Sequence, residues 1–395
     1  MVLAFVSCLF FAGCAVMTKG IFALIPIAGA IGGHLMLTRQ WKLLLSLRWL
    51  LAAVFVLLFI SPEIWSLYHQ FDLHPEKVVF GRTGVSGLQF FFWDSQFGRF
   101  FNTGPIKKYG GDPFFFLHTT LWAFLPWAFL FYFAVVYYLR VNFRKVQSAE
   151  WYNIGAAGLT FLIFSVSEFQ LPHYITIIFP FFAILTAQYI DQLQSARSLR
   201  TIRIIQGAVI SLMVLVIILL DFYFHPLTYS VSFIGLSLLC LVLLYFITVN
   251  KDLGKYKVYF QSAVIAFVVS IYINLTFYPQ LTSYQADSEA AFFINKKNTE
   301  QLPVVKVLNG YAFGIDFYTR QPIIHYRIGE EAVLPPKPYL IYADSEALPE
   351  LAEQGLKGQI LKTFERYPIT RLKMEFLNHK TRAKSLATSQ LMLIK

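Results

Sequence analysis

Apolar residues in this chain collect in long runs, at 2–17, 20–37, 43–61, 114–139, 152–167, 172–190, 204–224, 229–249 and 258–279. A helix that crosses a bilayer needs ~20 predominantly apolar residues. The pattern therefore predicts nine transmembrane helices within 1–279, interrupted by one long polar-aromatic segment at 62–113. From Thr282 onward charged residues become frequent and the apolar runs shorten. "LPVVKVL" (302–308), "PIIHY" (322–326) and "PYLIYAD" (338–344) read as strands, and "DSEAAFFINKK" and "SEALPELAEQ" as helices. The predicted fold class is an all-α polytopic membrane protein with a small C-terminal α/β domain at 280–395.

Charge sets the orientation. Arg39 and Lys42, then Arg140, Arg144 and Lys145, then Arg197, Arg200 and Arg203, then Lys251, Lys255 and Lys257 fall in alternate connections. Lys and Arg concentrate on the cytoplasmic side of membrane proteins. The loop 62–113, the turns near 168–171 and 225–228, and the domain 280–395 are then expected outside, which in a bacterium is the periplasmic face of the inner membrane.

Composition agrees. Of 395 residues 57% are hydrophobic, 41 are Phe and 22 are Tyr, and only 14% are charged. A soluble domain of this size cannot hide so many apolar side chains. The formal net charge of +11 follows from the basic loops and calls for no nucleic acid. Cys8, Cys14 and Cys240 all lie in apolar runs and form neither a disulfide framework nor a metal spacing. The chain opens directly in an apolar run without the basic segment of a secretory signal. "FAGC14" looks like a lipoprotein cleavage box, but a second apolar run follows at once. A truncated or misassigned start is the expectation.

Three stretches carry chemistry. Thr18-Lys19-Gly20 places an ammonium between two apolar runs. It is either a snorkelling lysine or a cation for a lipid phosphate. "FFFWDSQFGRFFNTGPIKKYGGDPFFF" (90–116) embeds Asp94, Arg99, Lys107, Lys108 and Asp112 among aromatic rings. It reads as an aromatic belt with solvated charges, or as a loop over a lipid-linked substrate with Arg99 on phosphate. "SVSEFQLPHYITIIFP" (165–180) gathers Glu168, Gln170, His173 and Tyr174, as a polar cap at the membrane surface or as part of a site.

In order and spacing, "MTKGIFALIPI", "FFFWDSQFGRFF…PFFFLHTTLWAFLPWAFLF" and "FSVSEFQLPHYITIIFPFFAIL" resemble the C-type membrane glycosyltransferases. The pattern is similar to lipid A aminoarabinose transferases and to bacterial dolichyl-phosphate-mannose-protein mannosyltransferases of the family 39 type. "GIDFYTRQPIIHY" (314–326) also resembles that family's C-terminal domain. The resemblance implies transfer of a sugar from a polyprenyl-phosphate carrier to a lipid or protein acceptor at the outer face. It places Arg99 on the lipid phosphate, Tyr174 in the Leu-Pro-x-Tyr motif of the cavity, and Lys19 in the shared Thr-Lys-Gly motif, with His173 and Glu168 beside them.

The chain also departs from the family. A Glu-His pair usually precedes the loop arginine, and Ser95 and Gln96 stand there instead. That puts a divalent metal in question. Gln170 replaces a lysine. The family's catalytic acid lies in a first external loop preceding Thr-Lys-Gly by several helices, and only one apolar run precedes Lys19. The expectation is the C-terminal two-thirds of such an enzyme, inactive unless an N-terminal segment or partner chain supplies the base. Of the remaining acids, Glu63, Asp72, Asp94 and Asp112, Asp94 is nearest to Arg99 and is a weak substitute. The rival readings are a non-catalytic membrane protein that binds lipid-linked sugars, and a transporter.

Overall fold

The computed structural model describes residues 2–107, 110–140, 151–307, 313–329 and 334–395. Lys108, Arg144, Lys145 and the end of the predicted strand 302–308 lie outside them. The protein has two compact units, Met1–Ile202 and Arg203–Lys395.

Five described helices are long and apolar enough to cross a membrane: Trp41–Phe59, Pro172–Gln192, Ala196–Phe224, Val231–Val249 and Gly254–Tyr284. Leu3–Lys19, Ile21–Leu37 and Ala128–Arg140 are shorter apolar helices. The architecture is that of a multi-pass membrane protein, but nine helices of spanning length are not found among the described residues. The run at 114–139 divides into Phe115–Ala123 and Ala128–Arg140, with Pro126, which has no N–H to donate, in the gap. The run at 152–167 forms Trp151–Ser165, of 15 residues. The segment expected as an external loop contains the short helical elements Ser61–Leu67, Tyr68–Asp72, Gly87–Gln89 and Phe90–Gly98.

In the first unit the helix Ile25–Leu37 packs tightly on Trp151–Ser165. A Cβ on Gly155 would lie 2.3 Å from the Gly29 carbonyl oxygen, and one on Gly33 would lie 2.9 Å from Gly155 Cα. Gly29 and Gly33 thus form a small-xxx-small contact that lets the two backbones meet. Behind it lies an aromatic core in which the Phe131 and Phe182 rings stack at 3.8 Å. Ile175 and Ile178, next to the Leu-Pro-x-Tyr stretch, are buried in that core.

The second unit holds three long helices, Ala196–Phe224 from its first turns onward, Val231–Val249 and Lys257–Tyr272. Gln206 Nε2 donates to Ser262 Oγ at 3.0 Å in their buried interface. The C-terminal sheet has the order β2-β1-β3-β5-β4, with β1 Val304–Val307, β2 Ile323–Tyr326, β3 Tyr339–Asp344, β4 Gln359–Arg366 and β5 Ala387–Ile394. β1 pairs in parallel with β2 and β3, while β5 runs antiparallel to β3 and β4. Alternation along the strands feeds two cores. Val304, Leu340 and Tyr342 pack with the helix Ala286–Lys297, and Val305, Ile341 and Met392 form the other core with Leu351. The three strands and two helices expected in the domain are all present, although "SEALPELAEQ" is a short 3-10 turn leading into Leu348–Glu353.

One charge is buried in this sheet. Lys306 on β1 is 3% exposed, and its Nζ meets Asp316 Oδ2 at 2.5 Å. Asp316 also meets His325 Nε2 at 2.8 Å. Burial by itself would raise the Asp316 carboxyl, but the hydrogen bonds and charges of His325 and Lys306 outweigh it and hold the carboxyl below its usual range. A depressed carboxylate stabilises the fold fully above its unfolded pKa of ~4 and loses that contribution as the pH falls through the lower folded value. Asp316→Asn is expected to cost about 3 kcal/mol by depriving a buried ammonium of its carboxylate. Unfolding in detergent as a function of pH checks this: the variant starts less stable at neutral pH, and its gap to the wild type closes in acid.

Candidate functional site

The helix Val2–Lys19 ends at Gly20, whose φ of +78° suits glycine. This left-handed residue sharply turns the chain into the 3-10 segment Ile21–Leu24 and leaves Lys19 at the end of an apolar helix. Gln96 fixes the turn from the other side. It is 7% exposed, its Oε1 accepts weakly from the Phe22 N–H at 3.4 Å, and its Nε2 donates to Ser95 Oγ at 2.9 Å. A Cβ on Gly20 would lie 2.1 Å from Gln96 Nε2. Two stretches 74 residues apart are thereby wedged together, with Phe22 edge-on to Phe97.

Gln96 lies on the wide π-type helix Phe90–Gly98, a geometry frequent at functional sites. Arg99 follows directly. The chain then folds back, with Thr103 N and Gly104 N donating to Gly98 O at 2.7 and 2.9 Å. Gln170 fastens the rest of the segment. Its Oε1 accepts from Asp112 N at 2.9 Å, and its Nε2 donates to Asp112 O at 3.0 Å and to Ser165 O at 3.1 Å. Gly111 allows the approach, since a Cβ there would lie 2.6 Å from Ser167 O. Glu168 N donates to Phe100 O at 3.0 Å. The lysine-to-glutamine departure is therefore a backbone clamp.

These contacts enclose a cavity of ≈ 740 Å³. Lys19, Arg99, His173 and Tyr174 all line it, with Phe22, Phe90, Phe91, Phe100, Phe164 and Phe169 as its aromatic walls. Lys19 Nζ stands over the Tyr174 ring, 4.2 Å from the centroid, and the Arg99 guanidinium lies 5.8 Å from the centre of Phe169. The His173 and Tyr174 rings meet edge to face at 4.8 Å. Glu168 is exposed and lies outside the lining, joined to it only through its backbone. Among the described residues neither Lys19 nor Arg99 forms an ion pair.

The acids sort unexpectedly. Asp72 caps the start of Gly87–Gln89, accepting from Ser86 Oγ at 2.5 Å and from Gly87 N at 3.0 Å. Asp112 accepts from Phe114 N at 2.9 Å and lies 3.4 Å from His118 Nε2. Asp94 is not in the lining, and its backbone and Cβ face the Gly98–Gly104 fold-back. Glu63, on the helix Ser61–Leu67, is the one carboxylate that lines the cavity among the described residues. Sequence position gave it no priority over the other three, because it stands 36 residues from Arg99 and 44 from Lys19.

Among the described residues the site offers a metal no ligand set. At the family's Glu-His positions, Ser95 bonds its own helix at the Phe91 carbonyl and Gln96 is committed to the turn. Among the described residues no three His, Cys, Asp or Glu side chains cluster as ligands.

No protein-family model matches the chain. A protein of Aquifex aeolicus (strain VF5), described as uncharacterized, is 27% identical over 312 residues, which is 78% of this chain and 54% of that protein. The undecaprenyl phosphate-alpha-4-amino-4-deoxy-L-arabinose arabinosyl transferase of Edwardsiella ictaluri (strain 93-146) is 29% identical over 207 residues, 48% of this chain and 31% of its own. The chain thus spans about half the length of the first relative and less than a third of the second. Among solved structures, ArnT from Cupriavidus metallidurans bound to undecaprenyl phosphate matches 98% of this chain with 68% of its own, at a TM-score of 0.64 and 18% identity. Its apo state matches at a TM-score of 0.63. The chain has the fold of ArnT, and the resemblance to lipid A aminoarabinose transferases that its three motifs carry is borne out.

The wedge at Gly20 is testable. Gly20→Ala places a methyl into Gln96 and an alanine in a left-handed conformation, and is expected to cost about 1–3 kcal/mol. Adding Gln96→Ala should recover the steric share, which thermal unfolding of the double-mutant cycle will report as a coupling. Strict additivity would mean that the two residues do not meet.

Proposed function

We propose that the protein is a C-type glycosyltransferase that moves a sugar from a polyprenyl-phosphate carrier to a lipid or protein acceptor at the outer face of the bacterial inner membrane. The observation that carries this reading is the pair Lys19 and Arg99. They are two cations in one aromatic-walled cavity, without an ion pair among the described residues. Like charges held together in this way repel, and an anion between them turns that repulsion into attraction. A phosphodiester on a long apolar tail satisfies both the cations and the walls.

In this reading Arg99 takes the phosphate through its planar fork and Lys19 adds a compact charge. Tyr174 and Phe169 hold the two cations by their ring faces. The acceptor oxygen attacks the anomeric carbon, the bond from that carbon to the phosphate oxygen breaks, and the leaving phosphate gains negative charge. The cations bind this charge more strongly than they bind the diester, and so lower the barrier. His173 lines the cavity and Glu168 lies outside its lining, and this reading leaves both to the sugar and the acceptor. The arabinosyl transferase likeness supports a pentose or hexose on undecaprenyl phosphate as the donor, and lipid A is the acceptor class it favours.

Arg99→Ala and Lys19→Ala are each expected to weaken polyprenyl-phosphate binding by about 1.5–3 kcal/mol, the share of a charge-assisted contact. Titration of the carrier lipid into detergent-solubilised protein measures it, and unchanged affinity in both variants would remove the pair from the site. Release of sugar from a polyprenyl-phosphate-linked donor onto an added acceptor tests the transferase reading itself. Reporters fused after Lys255 and after Lys395 test the orientation: a cytoplasmic signal at Lys255 and an external one at Lys395 are expected.

A further inference from the structure

We propose that the C-terminal α/β domain carries a binding site of its own, for a sugar ring that bears no acidic group. The site lies wholly within the second unit, and the proposal does not rest on the reading of the Lys19–Arg99 cavity.

The topology of the sheet opens a crevice there. β1 and β3 run side by side in the same direction, and β4 shares that direction because β3 and β4 are both antiparallel to β5. The chain leaves β1 toward β2 on one side and leaves β3 toward β4 on the other. Such a reversal parts the two connections at the carboxyl ends of the strands, which is where open α/β sheets bind ligands. A cavity of ≈ 690 Å³ occupies this place, lined by Val307, Asp344 and Arg366 at the ends of β1, β3 and β4. That is the size of a small-molecule site. Side chains two apart on a strand share a face, so Asp344 and Arg366 stand on the face of Tyr342 and Phe364, which packs on the helix Ala286–Lys297. The first turn of that helix adds Asp287 and Ser288 to the lining.

Asp287 uses one oxygen within the protein. Its Oδ2 accepts from Gly314 N at 2.7 Å, and no described residue hydrogen-bonds to its Oδ1. Gly314 permits the approach, because a Cβ there would lie 2.7 Å from Asp287 Oδ2 and 2.5 Å from Ser288 Oγ. Asp344 accepts from Ser389 Oγ at 2.7 Å and pairs with Arg366 Nη1 at 3.3 Å. The Arg366 Nε–H is buried without an acceptor among the described residues, although buried donors are nearly always paired. The hydroxyls of Ser288 and Thr370 share the lining with Phe313 and Tyr318, which are 69% and 45% exposed.

This lining selects by charge and by shape. Arg366 is balanced by Asp344, and Asp287 has no ion pair among the described residues. A phosphate or carboxylate that entered would meet a like charge. A wholly apolar ligand would take water from the Asp287 oxygen and the Arg366 N–H and give nothing in return. A sugar ring answers both groups. Its hydroxyls donate to the carboxylate and accept from the guanidinium, in hydrogen bonds strengthened by the charge. Its C–H face lies against the electron-rich face of an aromatic ring, and Phe313 and Tyr318 offer such faces at the surface of the domain.

The experiment uses the full chain in a detergent without a sugar headgroup. Saturation-transfer NMR and calorimetric titration are run with a methyl hexoside, a methyl pentoside, N-acetylglucosamine, an amino sugar and inorganic phosphate. At least one of the sugars is expected to bind with a Kd of about 0.1–10 mM, and phosphate is expected not to displace it. Asp287→Asn keeps an acceptor for Gly314 N, and should weaken the sugar about tenfold or more. Tyr318→Ala should weaken it about threefold to tenfold, and its exposed ring can be removed without unfolding the domain, which thermal unfolding checks. Arg99→Ala should leave sugar binding unchanged, which separates this site from the first cavity and its carrier lipid. The proposal is overturned by a wild type that binds none of the sugars up to about 100 mM. It is overturned equally by a folded Tyr318→Ala and Asp287→Asn that bind as tightly as the wild type, or by loss of the binding in Arg99→Ala. Phosphate binding that Arg366→Gln abolishes would give the cavity to anions and overturn it as well.

Discussion

Two positive charges that form no ion pair among the described residues organise the first of the protein's two units. Lys19 and Arg99 come from stretches 80 residues apart and repel one another when brought into one cavity. Something other than their own attraction must hold them there. It is packing of backbone against side chain: Gln96 wedged into the Gly20 turn, and Phe22 edge-on to Phe97 and Phe100. The cations are a load that the scaffold carries, and a preorganised site carries such a load because an anionic ligand relieves it. Removing the wedge should loosen the site before it unfolds the chain.

The same logic runs through the stretch 165–174. Gln170 uses both ends of its amide on backbone groups, and Gly111 permits an approach that a Cβ would block. Together they bring Phe169 and Tyr174 to the faces of the two cations. Where relatives of this pattern carry charge, at the lysine before Leu-Pro-x-Tyr and at the Glu-His pair before the loop arginine, this chain carries neutral amides and a hydroxyl that hydrogen-bond to its own structure. The site is therefore simpler in charge than the pattern leads one to expect. Among the described residues its polar lining consists of two cations, an imidazole, a phenol, the Gln96 amide, small hydroxyls and one carboxylate.

The C-terminal domain obeys different rules, because its core is its own. Its strands alternate between two apolar layers, and the one buried ammonium among its described residues, Lys306, is neutralised by Asp316 from the short helix Phe313–Tyr318. Lys19 and Arg99 form no ion pair among the described residues, and that contrast with Lys306 is what supports the functional role we propose for the two.

The sequence by itself determined a good deal. The apolar runs establish a multi-pass membrane protein, and the break in pattern after residue 280 marks the α/β domain with strands β1, β2 and β3. Three short motifs named Lys19, Arg99, His173, Tyr174 and Glu168 as one group, of which the first four line the cavity and Glu168 does not. Those features are legible because periodicity and residue type record local physics, and because a cation amid aromatics is costly enough to stand out. β4 and β5 were not legible: β4 is an edge strand with mostly exposed residues and so lacks a clean alternation. Helix lengths were overestimated at 114–139, where a proline divides one apolar run into two helices. What only the tertiary structure decided is which carboxylate faces the cavity. Glu63, Asp72, Asp94 and Asp112 are alike in sequence terms, each an acid in a long polar-aromatic segment. Their roles are set by which backbone N–H groups lie nearby and by the direction in which a helix turns its side chain. For Glu63 those are properties of chain segments that meet across 36 and 44 residues, and no local pattern encodes them.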